Sequence, residues 1–273
     1  MKLIIFALIN SFAISFAGII YYLNSLYSNF VFLYLLYLIK TLTLLMVTKY
    51  SQRNKKYITN INHNQNNQNN QNNQNINLLK SVLAIFSSVF IETLTHKSIV
   101  YSYTFSDRMI IYDILLFIPY SFIFEVIYDF MHYWIHRLFH TNKFLYKHIH
   151  KMHHQKVYTI YLDTYYQNPI DLILSNSIPF YLTLIILNYY GISFSYYQFI
   201  LLNIYKSAVE IAGHTGKRTF PTSSFPQCQW LVKYLSIELY TEDHDLHHRY
   251  LNCNYSKRLS LWDKLFGTYI KIK

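Results

Sequence analysis

HKMHH at residues 150–154 and HDLHH at 244–248 place one pattern, His-x-x-His-His, twice in the same chain. Histidine is 13 of 273 residues, so chance supplies roughly 0.03 such triplets per chain. In a helix, positions i, i+3 and i+4 share one face over a single turn, so each triplet would aim three imidazoles the same way. A third group lies in DFMHYWIHRLFH (129–140), where His132, His136 and His140 recur every four residues. His148 precedes the first triplet in HIHKMHH, and His214 stands alone in AGHTGK.

Neutral imidazole is the commonest protein metal ligand. A single zinc site uses three or four ligands, so eight or nine converging histidines imply two metals. A histidine-rich set without cysteine suits iron or another borderline metal better than magnesium or calcium. Asp129, Glu242, Asp243 and Asp245 lie beside these histidines and could orient them as hydrogen-bond acceptors. His132 and His148 complete no triplet, and His63 sits in an Asn/Gln tract where ligation is not expected. No HExxH motif of the zinc hydrolases occurs.

The rest of the chain points to a membrane. It is 52% hydrophobic and 14% charged, where soluble domains are about a quarter charged. Two cysteines, Cys228 and Cys253, make no disulfide framework. The net charge of +11 is scattered between apolar runs, which argues against nucleic-acid binding and for attraction to anionic headgroups.

Residues 3–23 and 30–48 are each long enough to cross a hydrocarbon core about 30 Å thick. The first follows Lys2 as a signal peptide would, but its apolar stretch runs on past Ala17 to Leu23, which favours a retained helix. Lys40 sits inside the second and is expected to snorkel or to kink the helix. The basic cluster KYSQRNKK (49–56) follows, and the positive-inside rule places it in the cytosol. Residues 62–75 (NHNQNNQNNQNNQN) have nothing to bury and read as a disordered linker. The run 78–91 is short for a span and reads as interfacial or as half of a hairpin with 110–128, which Asp113, Pro119 and Glu125 interrupt. Residues 178–205 read as a third hairpin, broken near Gly191. Three hairpins return the chain to its starting side each time, so every histidine cluster would lie in the cytosol just outside the membrane. The division is thus 1–61, an N-terminal membrane hairpin and basic loop; 62–77, the linker; and 78–273, a membrane-embedded domain with the histidine boxes.

HRLFH (136–140), HKMHH (150–154) and HDLHH (244–248), followed by NYSKRLSLWDKLFGTY (254–269), resemble the fatty acid hydroxylase/sterol desaturase superfamily over about residues 110–273. The resemblance implies a mainly α fold of polytopic membrane helices under a cytosolic, histidine-rich di-iron cap, in the endoplasmic reticulum. It implies an oxidoreductase that oxidises an unactivated C–H bond with O2, two iron ions, and electrons from NAD(P)H, usually through cytochrome b5 or its reductase. Carried over position by position, the ligands are His136, His140, His150, His153, His154, His214, His244, His247 and His248. Many sterol-acting members carry His-Pro some fifteen residues after the second box. Here the stretch is YYQNPID, with Asn168 in that place. That ligand is then dispensable, replaced by a neighbour such as His132, or lost.

EDHDLHHRY resembles the methylsterol monooxygenases, so the substrate expected is a sterol oxidised at its C4 methyl. The alternatives are a sterol C5-desaturase or a fatty acid or other lipid hydroxylase of the same superfamily, and a non-catalytic lipid-binding membrane protein. The aromatic-rich helices are candidates for a slot holding a flat or long lipid.

Overall fold

The computed structural model describes residues 3–27, 29–58, 70–157, 159–218 and 224–271. His63 and most of the Asn/Gln tract lie outside them. The longest elements are the helices α1 (Leu3–Leu26), α2 (Phe30–Ser51), α3 (Asn70–Ser102), α4 (Ile110–Thr141), α5 (Pro169–Tyr189), α6 (Tyr196–Gly213) and α7 (Thr241–Tyr250). No strand occurs among the described residues, whose only β pairing is an isolated bridge from Tyr57 to Lys217.

Among the described residues, five helices are long and apolar enough to cross a membrane: α1, α2, Leu79–Ser102 of α3, α4 and α5. The run expected to be short from residue 78 therefore continues to Ser102. The interruptions in α4 are absorbed within the protein: Asp113 pairs with Arg108 at 3.3 Å and Glu125 with Arg258 at 3.3 Å. Lys40 does not snorkel. It is 1% exposed, with its ammonium 2.9 Å from Glu92 and 3.0 Å from the Ser207 hydroxyl. Where no water is at hand, an internal partner is the cheaper solution for a charge.

The expected third hairpin is α5 and α6, reversing at Gly191 with φ +83°, a conformation that favours glycine. α6 is not among the five apolar helices. It starts at a reciprocal cap between Ser195 and Gln198 and buries Lys206 and Glu210 on its inner turns. One buried apolar cluster contains side chains from all of α1 to α6, so the N-terminal hairpin packs with the helices that carry the site.

Candidate metal centre

Each box is held by a different local device. α4 carries His132, His136 and His140 along its last three turns. Asn142 stops it by accepting hydrogen bonds from the N–H groups of Phe144 and Leu145. The second box is not one regular helical turn: a π-helical turn, Tyr146–His150, ends on His150, and a 3-10 turn, His153–Gln155, begins at His153. α7 carries the third box and opens with the Asp243 carboxylate accepting the Tyr240 N–H at 2.9 Å. His214 follows α6, its Nδ1 donating to the Glu210 carbonyl at 2.8 Å.

All eight histidines of the boxes and His214 converge, in two groups. His136, His140, His150, His154 and His247 form one, and His153, His214, His244 and His248 the other; in each group one ring nitrogen per residue lies within 4.8 Å of the rest. Each HxxHH box is thus divided. Its first and last histidines serve one group and the middle one the other, in opposite senses for the two boxes. The groups abut, with the His154 and His248 rings 4.6 Å apart.

The nitrogens fit metal ions and fit poorly without them. Nδ1 of His136 donates to the Tyr255 carbonyl (2.7 Å), that of His150 to Asp171 (2.7 Å), and that of His247 to the Cys253 carbonyl (2.7 Å). A ring that donates from Nδ1 keeps a lone pair on Nε2. Yet His150 Nε2 faces Nε2 of His136 at 3.0 Å and of His154 at 2.9 Å, while the buried Nε2 atoms of His140 and His247 have no hydrogen-bond partner. A shared proton could join one such pair, not the set. In the second group His244 Nε2 lies 3.1 Å from Nε2 of both His214 and His248, and His153 Nε2 lies 3.4 Å from that of His214. Metal–imidazole bonds of about 2.0–2.1 Å put adjacent nitrogens of one coordination shell about 2.9–3.4 Å apart.

Burial, and then neighbouring imidazoles, hold His153, His154, His244 and His248 well below the ordinary histidine range. Burial lowers His214 and takes His247 to about 3. These rings are neutral at physiological pH, the form a metal requires.

The remaining candidates sit elsewhere. His132 is buried beside His136, its Nδ1 donating to the Ser175 carbonyl at 2.8 Å, and it belongs to neither group. His148 is exposed. Asn168 is the N-cap of α5, accepting the Ile170 N–H at 2.9 Å, and stands outside both groups. The three aspartates expected to orient histidines bond none of them. Asp129 accepts the backbone N–H groups of Lys257, Arg258 and Leu259, Asp243 caps α7, and Asp245 pairs with Arg249. The orienting carboxylate is Asp171, one turn into α5. The NPID run marks it, an Asn-Pro helix start with an acid in the first turn, and sequence reasoning passed over it in favour of Asn168.

A model of the fatty acid hydroxylase family matches residues 121–268, the stretch that contains all three boxes. The chain belongs to the fatty acid hydroxylase family. A curated relative, fatty acid hydroxylase vlmA of a Lecanicillium species, is 33% identical over 149 residues, which are 54% of this chain and 40% of the relative. The chain therefore spans well under half of that relative's length. No solved structure matches the chain. The superfamily resemblance drawn from the boxes is borne out. The family match begins at residue 121, so α1 to α3 are described by their own packing alone.

An apolar cavity of about 230 Å³ lies against the second histidine group, between α1, α2, α6 and α7. Ile9, Val47, Ala208 and Val209 line it together with His214, His244 and Lys257. The lining of this cavity is mainly aliphatic, small and polar, with Tyr240 its one Phe, Tyr or Trp residue.

Proposed function

We propose that this fatty acid hydroxylase family member is an O2-dependent di-iron oxidase of a membrane lipid, with a fatty acyl lipid as its substrate. The observation that carries the reading is the set of imidazole lone pairs facing one another at 2.9–3.4 Å in two abutting groups. Two iron ions held there would supply reduction of O2 and abstraction of hydrogen from an unactivated C–H bond. The protein's part is to fix the ligands and the substrate. Tyr255, Cys253 and Glu210 carbonyls and the Asp171 carboxylate lock four rings with Nε2 turned inward. Tyr146 and Tyr255 pack against His140 at 5.5 and 5.6 Å and keep bulk water off the first group. The apolar cavity beside the second group would receive part of a lipid.

A sterol oxidised at its C4 methyl is the second reading, favoured by the resemblance of EDHDLHHRY to the methylsterol monooxygenases. The electron donor is NAD(P)H through cytochrome b5. The location is the endoplasmic reticulum membrane, with the boxes on the cytosolic side that the basic cluster 49–56 marks. The test is a lipid and sterol profile of cells lacking the protein, rescued with wild type or His153→Ala. Non-hydroxylated acyl lipids that only wild type clears support the first reading, and 4-methylsterols support the second. Identical rescues would bring forward a non-catalytic lipid-binding role.

A further inference from the structure

Lys257 occupies the position that the oxidase reading leaves unexplained. The apolar cavity and the narrow gap enclosed by the two histidine groups share three lining residues, His214, His244 and Lys257. Among the described residues Lys257 is the charged side chain common to both. It is pinned at each end. Its backbone N–H donates to Asp129 at 2.8 Å, and its ammonium donates to Asn176 at 2.8 Å and lies 3.3 Å from Glu210. An ammonium has three N–H donors. Two are used, and no third acceptor is found for Lys257 among the described residues. Glu210 is divided among Lys206, Lys257 and Arg258, so it leaves the ammonium incompletely paired.

The Lys257 side chain is 16% exposed, and an ammonium N–H left free beside an apolar cavity is a hydrogen-bond donor for whatever occupies that cavity. We propose that Lys257 positions the substrate by donating a hydrogen bond to an oxygen that the lipid carries close to the carbon being oxidised. The inference rests on the oxidase reading and deepens it. Because Lys257, His214 and His244 line both the cavity and the gap, the oxygen that Lys257 holds and the carbon facing the histidines would be near neighbours in the substrate. A carbonyl beside the reacting carbon of an acyl chain meets that condition, as does a hydroxyl beside the reacting carbon of a sterol. A site in the middle or at the far end of an unsubstituted chain does not.

The full chain in detergent micelles is titrated with two ligand pairs that differ only in oxygen, 2-heptadecanone against heptadecane and cholestanol against cholestane. A hydrogen bond to a charged group predicts about a tenfold or greater preference for the oxygen-bearing member of one pair. Lys257→Met should remove that preference and Lys257→Arg should retain part of it; comparing ratios between variants cancels partition into detergent. The responding pair distinguishes an acyl lipid from a sterol. Wild type that prefers neither oxygen-bearing ligand overturns the proposal, and so does Lys257→Met with its preference intact. Should Lys257→Met fail to fold, Lys257→Gln replaces it and must reduce the preference to a few-fold. Iron content of the same samples separates the two claims. A chain that takes up no iron defeats the oxidase reading while the ligand preference still decides the role of Lys257.

Discussion

Replacing Asp171 should loosen the first histidine group more than replacing any aspartate that neighbours a box in sequence. The His150 Nδ1–Asp171 contact is 2.7 Å long, and the two side chains are 4% and 1% exposed. Asp171→Ala leaves a buried imidazole N–H without its acceptor, at about 1–3 kcal/mol. It also frees the ring that stands between His136 and His154. Losing such an outer carboxylate typically weakens metal binding about 10–100-fold, or about 1.4–2.8 kcal/mol, so the two routes agree. Asp171→Asn keeps an acceptor oxygen but not the charge, and about half that free energy should be lost. Asp245→Asn is the control, since Asp245 pairs with Arg249 and bonds no histidine. Metal affinity is read by chelator competition on purified protein, with stoichiometry by mass spectrometry. Asp171→Ala binding metal as tightly as wild type would refute the reasoning. So would an equal loss in Asp245→Asn.

Other consequences can be checked on the same preparations. His153→Ala and His247→Ala remove one ligand from each group and should abolish turnover while membrane insertion, read by carbonate extraction, stays normal. Metal-stripped protein should lose stability as pH falls below about 6.5. His247, at about 3 when folded, binds a proton there only once unfolded, so that ring alone costs about 2 kcal/mol by pH 5; a melting temperature flat from pH 7.5 to 5 would contradict this. Gly216→Ala should lower the melting temperature, because Gly216 has φ +62° and an added Cβ would meet the Thr159 carbonyl oxygen at 2.4 Å, beside His214. Gly18→Ala, with nothing within 4 Å, should not lower it. Deleting 62–69, ahead of α3, should leave lipid turnover near normal.

The nine converging histidines were legible because spacing and chemistry coincide: each triplet is short, local and unlike its surroundings. Their division into two groups was not. A regular helix would have pointed His150, His153 and His154 one way, whereas the π-helical and 3-10 turns on either side of Lys151 and Met152 send His153 to the second group. Asp171 and Lys257 were missed for a different reason. Each acts across the fold, on His150 twenty-one residues away and on Asn176 eighty-one residues away, and no periodicity records such a contact. The same holds for Lys40. Read locally it is a blemish in an apolar helix, and only the fold supplies Glu92 and Ser207.

The hairpin arrangement explains why the histidines meet at one end although five described helices, an odd number, are apolar enough to cross a membrane. The turns of all three hairpins gather at the opposite end. Asn24 bonds Tyr196, the Phe194 N–H donates to the Tyr103 hydroxyl at 3.0 Å, and the Ser106 N–H donates to the Phe194 carbonyl at 3.0 Å. At the histidine end, Asn10 reaches the Pro226 carbonyl at 3.1 Å and the Ile58 N–H the Gly216 carbonyl at 3.0 Å. α6 therefore runs the length of the bundle as its partner α5 does, though it carries Lys206 and Glu210. Those charges make it less apolar than its neighbours and serve the site: Glu210 presents its carbonyl to His214 and its carboxylate to Lys257 and Arg258. Such an element is stable in this position only if neighbours shield it, and α1 and α2, which place Asn10, Ile14 and Lys40 against it, are those neighbours. The N-terminal hairpin, outside the family match, thus packs against the charged helix that leads to His214 and the second histidine group.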